Sequence, residues 1–172
     1  MNNELMFSSA NQAWATRWED FDKWNKRFNF TLDVCAGFGD QKCDDYITPD
    51  MNGLTTPWDP SDTFWCNPPY GAEQKKWVNH GFNQQASGVF LLPSRTDTIL
   101  FHDTIVKGQK AGYCEIEFIK GRITFGSDDY WEWVWDQEVL NGKPNSLYEK
   151  YGKMNPAPFA SMLVKCGDCK DL

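Results

Sequence analysis

Hydrophobic residues along this chain follow two spacings. In "WATRWEDFDKWNKRFN" (14–29), aromatics fall at Trp14, Trp18, Phe21, Trp24 and Phe28, with charged residues between them. A spacing of three to four predicts an amphipathic helix. The next stretch, "FNFTLDVCAGFG" (28–39), is a run of Phe, Leu and Val ending in small residues, which predicts a strand and a tight exit. "TFWCNPPYG" (63–71) is another short strand, stopped by two prolines that cannot donate to a sheet ladder. "AEQKKWVNHGFNQQA" (72–86) predicts a helix with Gly81 as its weak point. "GVFLLPSRTDT" (88–98) reads as a buried strand and polar loop, and "ILFHDTIVKGQ" (99–109) as a short helix. "AGYCEIEFIKGRITFG" (111–126) and "FASMLVKC" (159–166) read as late strands.

Strands alternating with helices argue for a three-layer α/β sheet. No helix separates the last two strands, so an antiparallel pair is expected at the edge of a mostly parallel sheet. Only residues 40–66 separate Gly39 from Asn67, and one βαβ unit takes about 30 residues. The sheet is therefore expected to be reduced, with one strand near Asp45–Thr48 and little between it and Thr63. The chain reads as one domain, 1–172, carrying a long aromatic-rich connection at about 127–158.

Composition narrows the class. A chain of 172 residues with 41% hydrophobic content can bury a sizeable core. No apolar run is long enough to span a membrane, and the N-terminus lacks a basic region followed by an apolar one. The six cysteines are too scattered for a disulfide framework, so a reduced, cytoplasmic protein is expected. The net charge of −7 argues against a general nucleic-acid coat. Residues 61–126 nevertheless carry 7 basic and 6 acidic side chains, against 5 and 10 in residues 1–60. A locally neutral face on an acidic body can still meet a phosphate backbone.

Asn67-Pro68-Pro69-Tyr70 holds a carboxamide, two proline carbonyls and a ring at a strand's end, where α/β sheets keep their chemistry. An exocyclic amine on a nucleobase is a poor nucleophile because its lone pair is delocalised. Two hydrogen bonds accepted from it, by the Asn oxygen and a proline carbonyl, favour tetrahedral nitrogen and free that pair. The prolines fix the carbonyl in advance, and the tyrosine offers a ring on which an extruded base stacks. A plain turn is the bland alternative. Cys166-Gly-Asp-Cys169 has metal-type spacing but no second pair, so no metal is expected. Arg95 either clamps Asp97 or holds a phosphate. His102 is a helix-face residue or a DNA contact. The Trp131/Trp133/Trp135 alternation reads first as a half-buried hairpin strand.

The order of "W-A-T", "FTLDVCAG", "KCDDYIT", "WCNPPYG", "LLPSRTDT", "FHD", "FIKGRITF" and "PAPFASMLV", from about Trp14 to Val164, resembles the phage and prophage DNA N6-adenine methyltransferase (Dam-like) family. The resemblance implies a reduced Rossmann-like class I methyltransferase sheet with helices on both faces. It also implies S-adenosyl-L-methionine as cofactor, double-stranded DNA as partner and a bacterial host cell as the setting. Asn67, Pro68, Pro69 and Tyr70 would form the catalytic loop. Trp14, Thr16, Asp33, Ala36, Gly37 and Asn67 would contact the cofactor, with Asp45 or Asp50 on its ribose. Tyr70, Arg95, His102, Lys120 and Arg122 would meet the substrate. Thr16-Arg17 stands where the family has Thr-Pro. Cytosine N4, RNA adenine and a protein glutamine amide are rival targets for the same loop, and a catalytically silent DNA or cofactor binder acting in anti-restriction is a rival of another class. The 127–158 connection is expected to approach DNA through Lys143, Lys150 and Lys153, or else to act as a lid.

Overall fold

The protein is described by a computed structural model that covers residues 15–37, 39–126, 142 and 157–172. Its sheet has the strands β1 (Leu32–Asp33), β2 (Asp45–Tyr46), β3 (Thr63–Cys66), β4 (Ser87–Pro93), β5 (Cys114–Phe118) and β6 (Ser161–Cys166) in the order β2-β1-β3-β4-β6-β5. The four strands β2, β1, β3 and β4 run parallel, and β6 inserts antiparallel between β4 and β5. This is the reduced, mostly parallel sheet with an antiparallel C-terminal pair that the alternating pattern predicts. The second strand also falls within the predicted span, and no strand follows it before Thr63.

Side-chain alternation sorts the strands into two faces. Phe64 and Cys66 of β3 join Phe90 and Leu92 of β4 in one core, and Trp65, Val89 and Leu91 join the other. Helix α1 (Trp18–Phe28) covers the second face with Phe21, Trp24 and Phe28. Helix α2 (Gln74–Asn83) covers the first, beside a π-helical stretch, Leu100–Val106, that continues into the short helix α3 (Lys107–Lys110). Helices thus lie on both faces.

The ends of α1 have local causes. Asn29 closes it in the left-handed region (φ 54) and returns its N–H to the Asn25 carbonyl, while Asn25 Oδ1 accepts from Phe30 N–H. At the other end the aromatic spacing overreaches. The helix begins at Trp18, Arg17 is extended, and Ala15 is tied instead to Gly126, whose N–H donates to its carbonyl (2.9 Å). Thr16 therefore lies off the helix; Trp14 lies outside the described residues.

Gly81 is a docking point rather than a weak one. A Cβ there would collide with the Phe90 ring, so its absence lets α2 sit close on β4. Cys166 and Cys169 pack into opposite cores, so these two thiols do not converge on one ion. No described helix is long and apolar enough to cross a membrane. Residues 127–141 and 143–156, which hold Tyr130, the three alternating tryptophans and Lys143, Lys150 and Lys153, lie outside the described residues.

One ion-pair cluster ties the helix on the second face to the antiparallel edge. Arg27 donates both terminal nitrogens to Glu117 (2.8 and 2.6 Å), and Lys165 Nζ lies 3.2 Å from the same carboxylate. The Arg27 hydrogen bonds, with help from Lys165, hold the Glu117 carboxyl down at about 2. A depressed folded value means stability that is present above the ordinary value and is lost as pH falls from about 4.5 towards 2. Glu117→Gln should therefore lower the urea midpoint at pH 7 by an amount worth about 1 kcal/mol or less, because the cluster is partly exposed. The difference between variant and wild type should close by about pH 2. A difference that does not change with pH would rule out the ion pairs as its source.

Candidate active site

The chain passes from β1 outward to β2, then returns across β1 to β3. The order reverses between β1 and β3, so a crevice opens beyond their C-terminal ends, the usual binding place in an open α/β sheet. Two segments leave into it: Asp33-Val34-Cys35-Ala36-Gly37 from β1 and Cys66-Asn67-Pro68-Pro69-Tyr70 from β3.

β3 holds the second segment rigidly, since both of its faces are clamped by aromatics. Trp65 stacks on Trp24 (centroids 5.5 Å apart) and meets Phe21 edge-on (5.4 Å), while Phe64 packs on Trp58 and Phe90 (5.0 Å each). Two residues past Trp65, Asn67 Nδ2 donates to Thr16 Oγ1 (3.0 Å). Pro68 is buried and Tyr70 partly buried, with its ring edge-on to Phe159 (5.6 Å) and Phe125 (6.3 Å). Burial pushes the Tyr70 phenol far up, so it stays a neutral hydroxyl. Burial, together with a hydrogen bond to Cys35, also pushes the Cys66 thiol well up, so it is no thiolate nucleophile.

At the β1 exit, Asp33 is only 2% exposed and accepts from the backbone N–H of Lys42 (2.9 Å) and of Cys35 (3.3 Å). Its carboxylate thus closes the 35–42 loop over the strand end, which is why β1 stops after two residues. Ala36 is buried, and its N–H donates to the Ile47 carbonyl (3.1 Å). Gly37 pairs with Asp40 in an isolated bridge. Beneath the loop, Lys42 Nζ is buried against Asp40 (2.6 Å) and lies 4.4 Å from the Trp18 ring centroid. Nothing in the spacing of these residues signals that ion pair.

The two acidic residues proposed for the ribose separate clearly. Asp45 opens β2, opposite Leu32 and exposed. Asp50 follows the strand's C-terminal end and accepts from Thr48 Oγ1 (2.6 Å) in a turn that runs on to Gly53. A Cβ on Gly53 would collide with the Val34 carbonyl and the Trp77 ring, so the turn carrying Asp50 lies directly against the β1 exit. Gln74 lies one turn before Trp77, whose ring a Cβ on Gly53 would meet, on the buried side of α2; its Nε2 is buried with no hydrogen-bond partner.

Of the residues expected to meet substrate, one is linked to Tyr70 through Phe159. Arg95 is exposed and makes no ion pair with Asp97; its guanidinium lies 5.8 Å from the Phe159 ring centroid, and Phe159 in turn touches Tyr70. Of the two readings for Arg95, the loop clamp is therefore not the one seen. His102 is exposed with Nε2 2.6 Å from the Thr96 carbonyl, closing the loop after β4. Lys120 is exposed in the turn after β5. Arg122 donates to the Ala157 carbonyl (3.1 Å), and Ala157 N–H donates to the Ile123 carbonyl (2.8 Å), so Arg122 fastens the neck of the long connection.

A crevice at the switch point, bounded by an acidic β1 exit and an Asn-Pro-Pro-Tyr loop, on a sheet with one antiparallel strand inserted near its edge, defines a Rossmann-like methyltransferase fold. The chain belongs to the DNA N-6-adenine-methyltransferase (Dam) family, whose sequence model matches residues 5–145. It is also similar to the DNA N-6-adenine-methyltransferase of Haemophilus phage HP1, with 41% identity over 64 residues. That match covers 36% of this chain and 36% of the phage protein.

Proposed function

We propose that the protein methylates the exocyclic N6 of adenine in double-stranded DNA, using S-adenosyl-L-methionine. The observation that carries this reading is the rigid Asn67-Pro68 loop at the switch point in a chain of the Dam family. The crevice suits the cofactor: it offers Asp50 beside the β1 exit, and α2 carries the orphaned Gln74 amide as a donor. Asp33, Ala36 and Gly37 form the loop that borders it, and Asp50 is better situated than Asp45 to hold the ribose hydroxyls. When bound, the cofactor supplies an electrophilic methyl group.

The chain's own residues prepare the amine. Asn67 Oδ1 and the Pro68 carbonyl accept its two hydrogens, which draws the lone pair out of conjugation and aims it along the methyl-transfer line. Tyr70, braced by Phe125 and Phe159, stacks on the extruded adenine. No basic side chain is needed before the attack, because the methylated nitrogen is acidic and releases its proton afterwards. Arg95, His102 and Lys120, all exposed, meet phosphates, while Arg122 acts through the neck it fastens.

The test is methyl transfer from labelled cofactor to unmethylated duplex DNA, followed by nucleoside analysis. N6-methyladenine is the expected product. If N4-methylcytosine were the only methylated nucleoside, the substrate assignment would be wrong. If no label reached DNA while DNA and cofactor both bound, the protein would be a silent binder.

A further inference from the structure

We infer that Thr16 is a positioning residue that holds the Asn67 carboxamide in place by binding its nitrogen end. The inference rests on the acceptor role proposed for Asn67. An amide side chain presents an oxygen on one side and an NH₂ on the other, and only the oxygen can accept from an adenine amine. Thr16 Oγ1 takes the nitrogen at 3.0 Å, which turns Oδ1 away from Thr16. Were the amide reversed, an NH₂ would face the amine it has to activate, donor against donor.

Thr16 can do this because it is itself immobilised on both sides. It is 2% exposed. On its N-terminal side the Ala15 carbonyl accepts from Gly126 N–H (2.9 Å), and on its C-terminal side the Arg17 carbonyl accepts from Phe21 N–H (3.0 Å) at the start of α1. The hydroxyl therefore meets Asn67 from a fixed place, 51 residues away in sequence, and little conformational entropy is lost in keeping it there. This differs from the cofactor contact that the family resemblance implies for Thr16, and the two roles make different kinetic predictions.

The experiment compares Thr16→Val, which keeps the shape and removes the acceptor, with Thr16→Ser, which keeps the hydroxyl. Steady-state methyl transfer to duplex DNA, calorimetric affinity for S-adenosylmethionine and melting temperature are measured for each. Thr16→Val should lower kcat about tenfold or more, the scale of one misplaced hydrogen bond in a buried site, with cofactor affinity unchanged. Thr16→Ser should recover most of that loss. A Thr16→Val protein with normal kcat would overturn the inference, as would one whose cofactor affinity falls in proportion to its rate. Should Thr16→Val melt well below wild type, Thr16→Ser alone decides: a stable but slow serine variant would also overturn it. Wild-type protein that transfers no methyl to adenine defeats the proposed function instead, so the two failures are told apart.

Discussion

Asn67→Ala should reduce methyl transfer to duplex DNA by about 10²-fold or more, the scale for losing a transition-state hydrogen bond, while the protein stays folded. The size follows from the work proposed for the carboxamide. Adenine N6 in the ground state is planar and conjugated, and the oxygen gains strength as a partner as that nitrogen becomes tetrahedral. The loss should therefore fall on kcat rather than on KM. The fold should survive because β3 is held elsewhere: Trp65 by Phe21 and Trp24, Phe64 by Trp58 and Phe90. Removing the side chain leaves Thr16 Oγ1 without its donor, a local cost. Single-turnover rates and a melting curve check both halves. Near-normal turnover with a normal melting temperature would remove Asn67 from the chemistry.

What the sequence reveals and what it hides divide along physical lines. The apolar runs "TFWC" and "GVFLLP" are readable as strands because each is buried on both faces, and the antiparallel partnership of β5 and β6 follows from the missing helix between them. β1 is harder: the run "FTLDVCAG" looks like a full strand, but the Asp33 side chain captures Cys35 N–H and bends the chain after two residues. The start of α1 misleads because Trp14 continues the aromatic spacing, whereas a contact distant in sequence, Gly126 to Ala15, draws the segment away from the helix. Gly81 reads as a helix weakness from propensity alone, and only the nearness of Phe90 explains it. At the site, the Asn-Pro-Pro-Tyr loop is legible because rigidity and acceptor type are written in the residues themselves. The partnership of Thr16 with Asn67 is not, since a hydrogen bond across 51 positions leaves no periodic trace.

Asp33→Asn should change how stability depends on pH, because Asp33 is buried at the β1 exit with a carboxyl pushed up to about 7. Burial is the largest cause, opposed by the Lys42 and Cys35 N–H groups; Asp40 nearby raises the value further. A carboxyl with a raised folded value binds its proton more tightly in the folded state. Between its ordinary value of about 3.8 and about 7, the wild-type fold therefore loses stability as pH rises, and above about 7 the loss is complete. Asparagine cannot titrate. At pH 4 it resembles the protonated acid in charge, though one of the two backbone donors then faces an NH₂, so the variant should be the less stable protein there. As pH rises to 7 the stability of Asp33→Asn should gain on wild type by up to about 1.4 kcal/mol per pH unit. Glu117 acts in the opposite sense and in a lower window, so the two groups together favour the fold most near pH 4–5. Urea unfolding of both proteins at pH 4, 5.5, 7 and 8.5 measures the difference. Parallel curves across that range would mean that Asp33 is ionised throughout, held by its two backbone donors against the cost of burial.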